Sequence, residues 1–550
     1  PIVEPTVNIE SRIKYCRIYP GLGIARLGNS PDDYFIGTEV SGSPPTPENN
    51  LFKDVQGRVK RQAARFHIYA YDSNDKVLKE LTADDCSITW KVHLANKKGL
   101  AKKFVGRYLD EQNKELRNSD VVDRMALLID PGHRSISGIN QSGKNFKFDT
   151  GKFFGITVPL GEIRTDEKGR LIVLGGFGKS DSVDREKFKI EDYANNDGWF
   201  DDISDGPVTA LVTLNSNGKT IPIKDNAWVI VAPPKFAPYH YPIITLYDTM
   251  KEVALEQKWI TKPKEVSFMR DILPLFHRVL QYKWLNNRVQ SGHGTPGIRG
   301  GILENFGEVS ANNANTAGTR EMIFLKVRNP NFKPESDEAK AQANYEFMPI
   351  MSGDGGGMRR GNDTTFMKIL PSQYDNLKKW SKGDFISDFD NSKYTSEFKK
   401  VLFQRRTLDE IPLEEQPQNL DKSALELSIG GPFFPGIEIT FIASDPDLYD
   451  GKAFRINPNL EPGDITQYMA LPWQADFLEC NETWWPTARP DDVIPEQNEK
   501  VREKWARGSH GEYFNNEDHM KMVKEWDKLG FIKPKKVGDH ILFIESERSY

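Results

Sequence analysis

Cysteine is scarce in this chain: three residues in 550, Cys16, Cys86 and Cys480. An odd, widely spaced set makes no disulfide framework. With no C-x2-4-C pair and nine scattered histidines, it makes no zinc site either. What it leaves is a thiol free for chemistry, in a pattern that suits a reducing compartment. Charge of one sign is also missing. A net charge of −5 and an isoelectric point near 6.1 give no electrostatic footprint for nucleic acid or an anionic membrane surface. No apolar run approaches the roughly 20 residues that a membrane-spanning helix needs, so no membrane partner is expected. The first sixteen residues lack a basic stretch followed by an apolar core, so no secretory signal is visible; this leaves the location unknown, a cytoplasmic one and export by a non-standard route both fitting. There is no internal repeat and no low-complexity tract. The glycine-rich GLGIARLG at residues 21–28 lacks the G-x-G-x-x-G spacing of a dinucleotide fold. The loop from Gly353 to Gly357 lacks the Lys-Ser/Thr of a phosphate loop. No Ser-His-Asp arrangement is visible.

What is present is an ordinary globular mixture, 38% hydrophobic and 28% charged with a mean hydropathy of −0.59. A chain this long buries a large core without covalent staples. Residues 10–235 read as β-rich: the short apolar segments 65–72, 88–93, 171–175 and 227–232 are separated by turn signals at Asn74-Asp, Glu167-Lys-Gly and Ser216-Asn-Gly, which suit antiparallel hairpins. Residues 246–259 and 266–284 carry apolar residues at helical spacing, the second with a kink near Pro274. Residues 290–315, rich in Gly, Asn and Ser, read as a long loop. A helix is expected after Ser372, a strand over 437–442, helices over 497–505 and 517–529, and a closing strand over 541–544. The expected fold class is α+β: a β-rich, mostly antiparallel part over residues 1–240, a helical connecting region with a long loop over 241–345, and a helical, loop-rich catalytic part over 346–550.

Residues 471–490, LPWQADFLECNETWWPTARP, concentrate the chemistry. Asp476, Cys480, Trp484 and Trp485 lie within ten residues. A thiol, an indole and a carboxylate are the parts of a protein-derived quinone, in which a tryptophan gains two oxygens and is cross-linked to cysteine sulfur. Four residues separate Cys480 from Trp485, so a bend at Asn481 or Thr483 can bring them together. If the segment is extended, the two tryptophans point apart and one of them meets Cys480; Pro486 pushes Trp485 toward that conformation. Asp476 would serve as the base that removes the proton next to a substrate nitrogen. Burial beside Trp473, Phe477 and the Trp pair is expected to raise its pKa toward neutrality. By themselves these residues also fit an aromatic turn around a buried, inert thiol.

The chain resembles the LodA-like family of quinoprotein amino-acid oxidases, of the L-lysine ε-oxidase and glycine oxidase type. The resemblance rests on ordered blocks: RIYPGLGIARLGNS from Arg17, RQAARFHIYAYD from Arg61, APPKFAP from Ala232, GGPFFPGIE from Gly430, PGDITQYMALPWQADFLEC ending at Cys480, and WWPTARP from Trp484. It implies a cysteine tryptophylquinone built from Cys480 and Trp485, with Trp484 as the alternative, and no metal or flavin in the mature chain. It implies Asp476 as the acid needed for cofactor formation and proton abstraction, and Phe236 and Tyr239 beside substrate access. The implied reaction turns an amine, O2 and water into an aldehyde or oxo acid, ammonia and hydrogen peroxide. The L-lysine ε-amine is the leading substrate, with glycine or another amino acid as the alternative. Homo-oligomers and a separate flavoprotein that completes the quinone are the implied partners. Arg489 has two readings: it holds a substrate carboxylate bidentately, or it pairs with Asp491 or Asp492. One departure stands out. In the family a longer segment separates the cysteine from the tryptophan, and here it is reduced to residues 481–484, so the family's substrate choice does not transfer. Loop 290–315 and the helical C-terminus are candidates to cover the opened side. A family member whose cofactor never matures, acting as a binding protein, and a dehydrogenase passing electrons to a carrier protein are the competing readings.

Overall fold

The chain folds, in a computed structural model, around one large sheet. The structure describes all residues except 1–7, 46, 104–114, 295–300, 332–345, 353–365, 432–437, 440–441, 481–482, 508–515 and 550, together with the side chains of 396–401. The sheet has 13 strands: β1 (Tyr15–Tyr19), β2 (Leu22–Arg26), β3 (Tyr34–Ile36), β4 (Arg61–Tyr71), β5 (Val77–Leu81), β6 (Cys86–His93), β7 (His133–Ser137), β8 (Gly161–Thr165), β9 (Leu171–Gly175), β10 (Ser204–Leu214), β11 (Thr220–Ile221), β12 (Ile223–Asp225) and β13 (Ala227–Ala232). Its main path runs β8-β9-β4-β2-β13-β10-β6-β7. Pairing is antiparallel except for β1 with β12, β13 with β2 and β3 with β4.

The sequence dictates this arrangement by its periods. β6 alternates, with Cys86, Ile88, Trp90 and Val92 inward and polar or β-branched neighbours outward, as a half-buried strand must. β2 and β13 are buried along their whole length, which suits their central, parallel pairing. The hairpins turn where Asp72 accepts the N–H groups of Asn74 and Lys76, and where Asp166 accepts those of Lys168 and Arg170.

Helices follow the sheet: α1 (Leu246–Glu256), α2 (Leu273–Gln281), α3 (Asn287–His293), α4 (Ala314–Leu325), α5 (Pro371–Ser381), α6 (Asn391–Phe403), α7 (Gln416–Leu425), α8 (Trp473–Glu479) and α9 (Asn516–Glu525). A hairpin, β14 (Phe531–Val537) and β15 (His540–Ser546), closes the chain. The fold is thus β-rich at its N-terminal side and helical and loop-rich at its C-terminal side.

Several expectations need correction. Residues 290–315 are not one loop: α3, a helical turn at Phe306–Val309 and the start of α4 lie there. Two of the asparagines that suggested a loop are helix caps, since Asn305 and Asn313 each accept a first-turn N–H, a favoured use of that residue type. Residues 497–505 are not a helix. Asn498 folds a local turn onto Lys500, and Glu503–Lys504 pairs with Asp492–Val493, so side-chain competition and tertiary pairing override helical spacing. The kinked segment 266–284 is a π-turn over Phe268–Ile272, then α2 with Pro274 in its first turn, then a 3-10 turn over Tyr282–Trp284. The glycine loop 353–357 and half of the expected strand over 437–442 lie outside the described residues; in the rest no strand forms, since 438–439 make a bend and Ile442 begins a 3-10 turn.

Close packing at the start of β10 yields a direct test. A Cβ added to Gly206 would lie 1.6 Å from the carbonyl oxygen of His93, so only glycine permits this approach of β10 to β6. Gly206→Ala is expected to destabilise by about 1–3 kcal/mol, read as a lower midpoint in guanidinium unfolding. An unchanged midpoint contradicts the contact.

Candidate active site

The site is built on α8, a seven-residue helix of which six residues are buried. Asp476 and Cys480 stand four apart, so one helix face presents both. Cys480 closes the helix, its N–H reaching the Asp476 carbonyl at 2.9 Å. Trp473 packs edge-on against Phe477 at 5.0 Å and Trp526 at 5.5 Å. The buried amide of Gln474 accepts from Ser180 and donates to the Gly178 carbonyl, which fixes the helix against the segment following β9.

Trp485 sits in a tight series of turns rather than in an extended segment. Thr483 takes a left-handed φ of 77° and donates its N–H to Asp491 at 2.8 Å. The Trp485 carbonyl accepts from Ala488 and Arg489 at 2.9 and 2.8 Å. The loop is then stitched to residues 235–240: Phe236 N–H donates to the Ala488 carbonyl at 2.9 Å, and the buried Lys235 ammonium donates to the carbonyls of Thr487 and His240. The two indoles are 6.1 Å apart and tilted by 40°; Trp485 is buried and Trp484 half-buried.

Burial dominates the electrostatics. Loss of water pushes the Asp476 carboxyl up to about 7, opposed by a hydrogen bond from Cys480 and by the charges of Lys98 and Arg489, with Glu479 adding to the rise. Neither carboxylate oxygen has an N–H or O–H donor among the described residues; the thiol is the group that faces them. Desolvation and then the Asp476 charge push the Cys480 thiol far up, while a hydrogen-bond contact with Trp485 pulls the other way. At neutral pH Cys480 is therefore a protonated donor between a carboxyl group and an indole. Tyr193 completes the cluster: burial, then the proximity of Cys480 and of acids including Asp476, raises its phenol.

Of the residues expected near substrate, Phe236 has no exposed surface and packs on Phe477, Trp505 and Phe531. Tyr239 is buried against Phe52, hydrogen-bonds Asn50 and borders a cavity of about 520 Å³ that Asp476, Cys480 and Trp485 do not line. Arg489 is 2% exposed. It donates to the Phe477 carbonyl at 2.7 Å, lies 3.9 Å from Asp491 and stacks over Trp505, so it bolts the tryptophan loop to α8. Sequence reasoning missed Tyr193, Lys98 and Asp201. The acid run Asp201-Asp202-Ile-Ser-Asp205 at the mouth of a strand was the signal for the last of these.

Comparison with known proteins supports an amino-acid oxidoreductase. The model of the L-lysine ε-oxidase N-terminal domain matches residues 19–231, and that of its C-terminal domain matches residues 351–505. The chain belongs to the LodA-like family. It is 28% identical to L-lysine 6-oxidase from Marinomonas mediterranea, over 84% of this chain and 70% of that one. Its fold matches crystal structures of the L-Lys ε-oxidase from the same organism. One is the Schiff-base intermediate with L-Lys, at a TM-score of 0.74, 23% identity and coverage of 97% and 95% of the two chains. Another matches at 0.72, with the same identity and coverage of 97% and 94%.

The raised carboxyl makes stability depend on pH. Its folded pKa lies above its unfolded value, so between about pH 4 and 7 the folded state holds a proton that the unfolded state has lost, and stability falls as pH rises through that window. Asp476→Asn removes this dependence. In protein with unmodified Cys480 and Trp485, the variant is expected to gain stability over wild type from pH 5 to pH 8, by on the order of a few kcal/mol. A constant difference across that range contradicts the assignment.

Proposed function

We propose that this chain is a quinoprotein oxidase that deaminates a primary amine of an amino acid with O2, releasing ammonia and hydrogen peroxide. Its cofactor is a cysteine tryptophylquinone formed from Cys480 and Trp485. One observation carries the reading: a buried carboxyl with no N–H or O–H donor among the described residues, a protonated thiol one helical turn on and a buried indole near that thiol meet in one place. These residues fit the group, because the cross-link needs sulfur and indole in contact and the chemistry needs a base beside them. When formed, the quinone supplies an electrophilic carbonyl and accepts two electrons.

The chain's own residues supply the rest. Near neutrality Asp476 is about half ionised, which suits a general base removing the proton from the carbon next to the substrate nitrogen. Once its sulfur is bonded to carbon, Cys480 no longer has a proton to donate, and the carboxylate turns to substrate. Tyr193 stays protonated and remains a hydrogen-bond donor beside them. Trp473 and Phe477 wall the base with apolar surface and exclude water. L-Lysine at its ε-amine is the leading substrate, supported by the relative named L-lysine 6-oxidase; glycine or another amino acid is the alternative. A separate flavoprotein for maturation and a homo-oligomeric state complete the proposal.

Intact mass tests the cofactor. Protein made with its natural partner genes is expected to exceed the chain mass by two oxygens less four hydrogens, and Cys480→Ala is expected to lose both this change and the visible quinone absorption. An unmodified mass in the parent favours the reading as a binding protein. Activity tests the base. In an amino-acid panel read by peroxide under air, Asp476→Ala is expected to fail to mature or to lose about 10²- to 10⁴-fold in turnover. Full activity in that variant, or amine turnover that yields no peroxide under air and requires an added electron acceptor, contradicts the proposal.

A further inference from the structure

Below α8 lies a buried ion pair that the proposed chemistry has not used. Lys98, in the segment after β6, holds its ammonium 2.6 Å from Asp201 Oδ2, and both side chains have no exposed surface. The same ammonium donates to the Ala470 carbonyl at 2.7 Å. The same Asp201 oxygen accepts the N–H of Trp473, the first residue of α8, at 3.2 Å. Asp201 Oδ1 accepts from the Asn96 amide and from Ile203 N–H. Arg117 braces the assembly from behind, donating to the carbonyls of Lys98, Ala194 and Met469. The pair therefore grips residues 470 and 473, one turn before Asp476.

We propose that Lys98 and Asp201 are the positioning pair of this site: Asp201 anchors the start of α8, and Lys98 supplies the buried positive charge that lets Asp476 ionise and serve as base. The inference rests on the reading of Asp476 given above. Two points support it beyond the grip on the helix. A buried ion pair is a weak source of stability, since desolvation offsets its attraction, so stability alone gives a poor account of it. Lys98 is also one of the two cations that act on Asp476, Arg489 being the other. The remaining groups around that carboxyl are Cys480 and Glu479 on its own segment and Tyr193 opposite. Both cations are held by other partners, Arg489 by the Phe477 carbonyl and Trp505 and Lys98 by Asp201 and the Ala470 carbonyl, and Lys98 is the one tied to the helix start.

The test is an infrared titration of the Asp476 carboxyl in protein with unmodified Cys480 and Trp485, where the band is assigned by its loss in Asp476→Asn, alongside the pH profile of kcat/KM of the matured enzyme. Lys98→Met is expected to raise the titration midpoint by about one pH unit or more, and to lower activity on the acid limb about tenfold for each unit. Lys98→Arg is expected to restore both toward the parent. Because Lys98→Met strands a buried Asp201 and can fail to fold, Lys98→Met with Asp201→Asn removes both charges and is expected to raise the midpoint too. An unchanged midpoint in the folded variant overturns the proposal, whatever Asp476 does in catalysis. A midpoint that rises while the acid limb stays fixed supports the electrostatic coupling and overturns instead the reading of Asp476 as base.

Discussion

The site depends on three buried carboxylates at the mouth of β10. Asp205 accepts the N–H and hydroxyl of Thr466 at 2.9 and 2.6 Å and the Trp228 indole at 2.9 Å. Asp202 accepts the N–H groups of Gly178 and Lys179, and Asp201 takes Lys98 and Trp473. Burying a carboxylate is unfavourable unless hydrogen bonds and countercharge compensate it. Here the compensating donors come from four distant chain segments, around Lys98, Gly178, Trp228 and Thr466–Trp473, so satisfying the acids and assembling the site are the same event. The end of the sheet becomes a fixed platform, and α8 is held to it before any side chain of α8 does chemistry.

Desolvation does the rest, with a different result for each group. It brings Asp476 to about 7, where a carboxyl exchanges protons most readily near neutrality. It drives Cys480 and Tyr193 upward, so both stay protonated. Asp202 is also buried and is pushed to about 7 by that burial and then by Asp201. The apolar wall around α8 is therefore an electrostatic element as well as packing.

Much of the sheet was legible in the sequence because short apolar runs bounded by turn residues mark strands: residues 171–175 and 227–232, buried along their whole length, are read with the bounds the structure gives them. Helices α1 and α9 were legible for the analogous reason. Errors fell where polar residues have two uses. Asn305 and Asn313 signal a loop by composition and act as caps in space. Residues 497–505 carry helical spacing, but a turn at Asn498 and the burial of Trp505 beneath the Gly530 carbonyl decide otherwise.

The sequence by itself determined the parts of the site and two of their relations. Asp476 and Cys480 share a face because four residues make about one helical turn, and four residues between thiol and indole permit a bend. Only the tertiary structure decided what surrounds them. It assigned Arg489 to a carbonyl of α8, put Tyr193 beside the thiol and set the Lys98–Asp201 pair under the base. Those contacts span tens to hundreds of residues of chain, and no local period or spacing records them, since burial and charge are properties of the folded neighbourhood rather than of the segment that enters it.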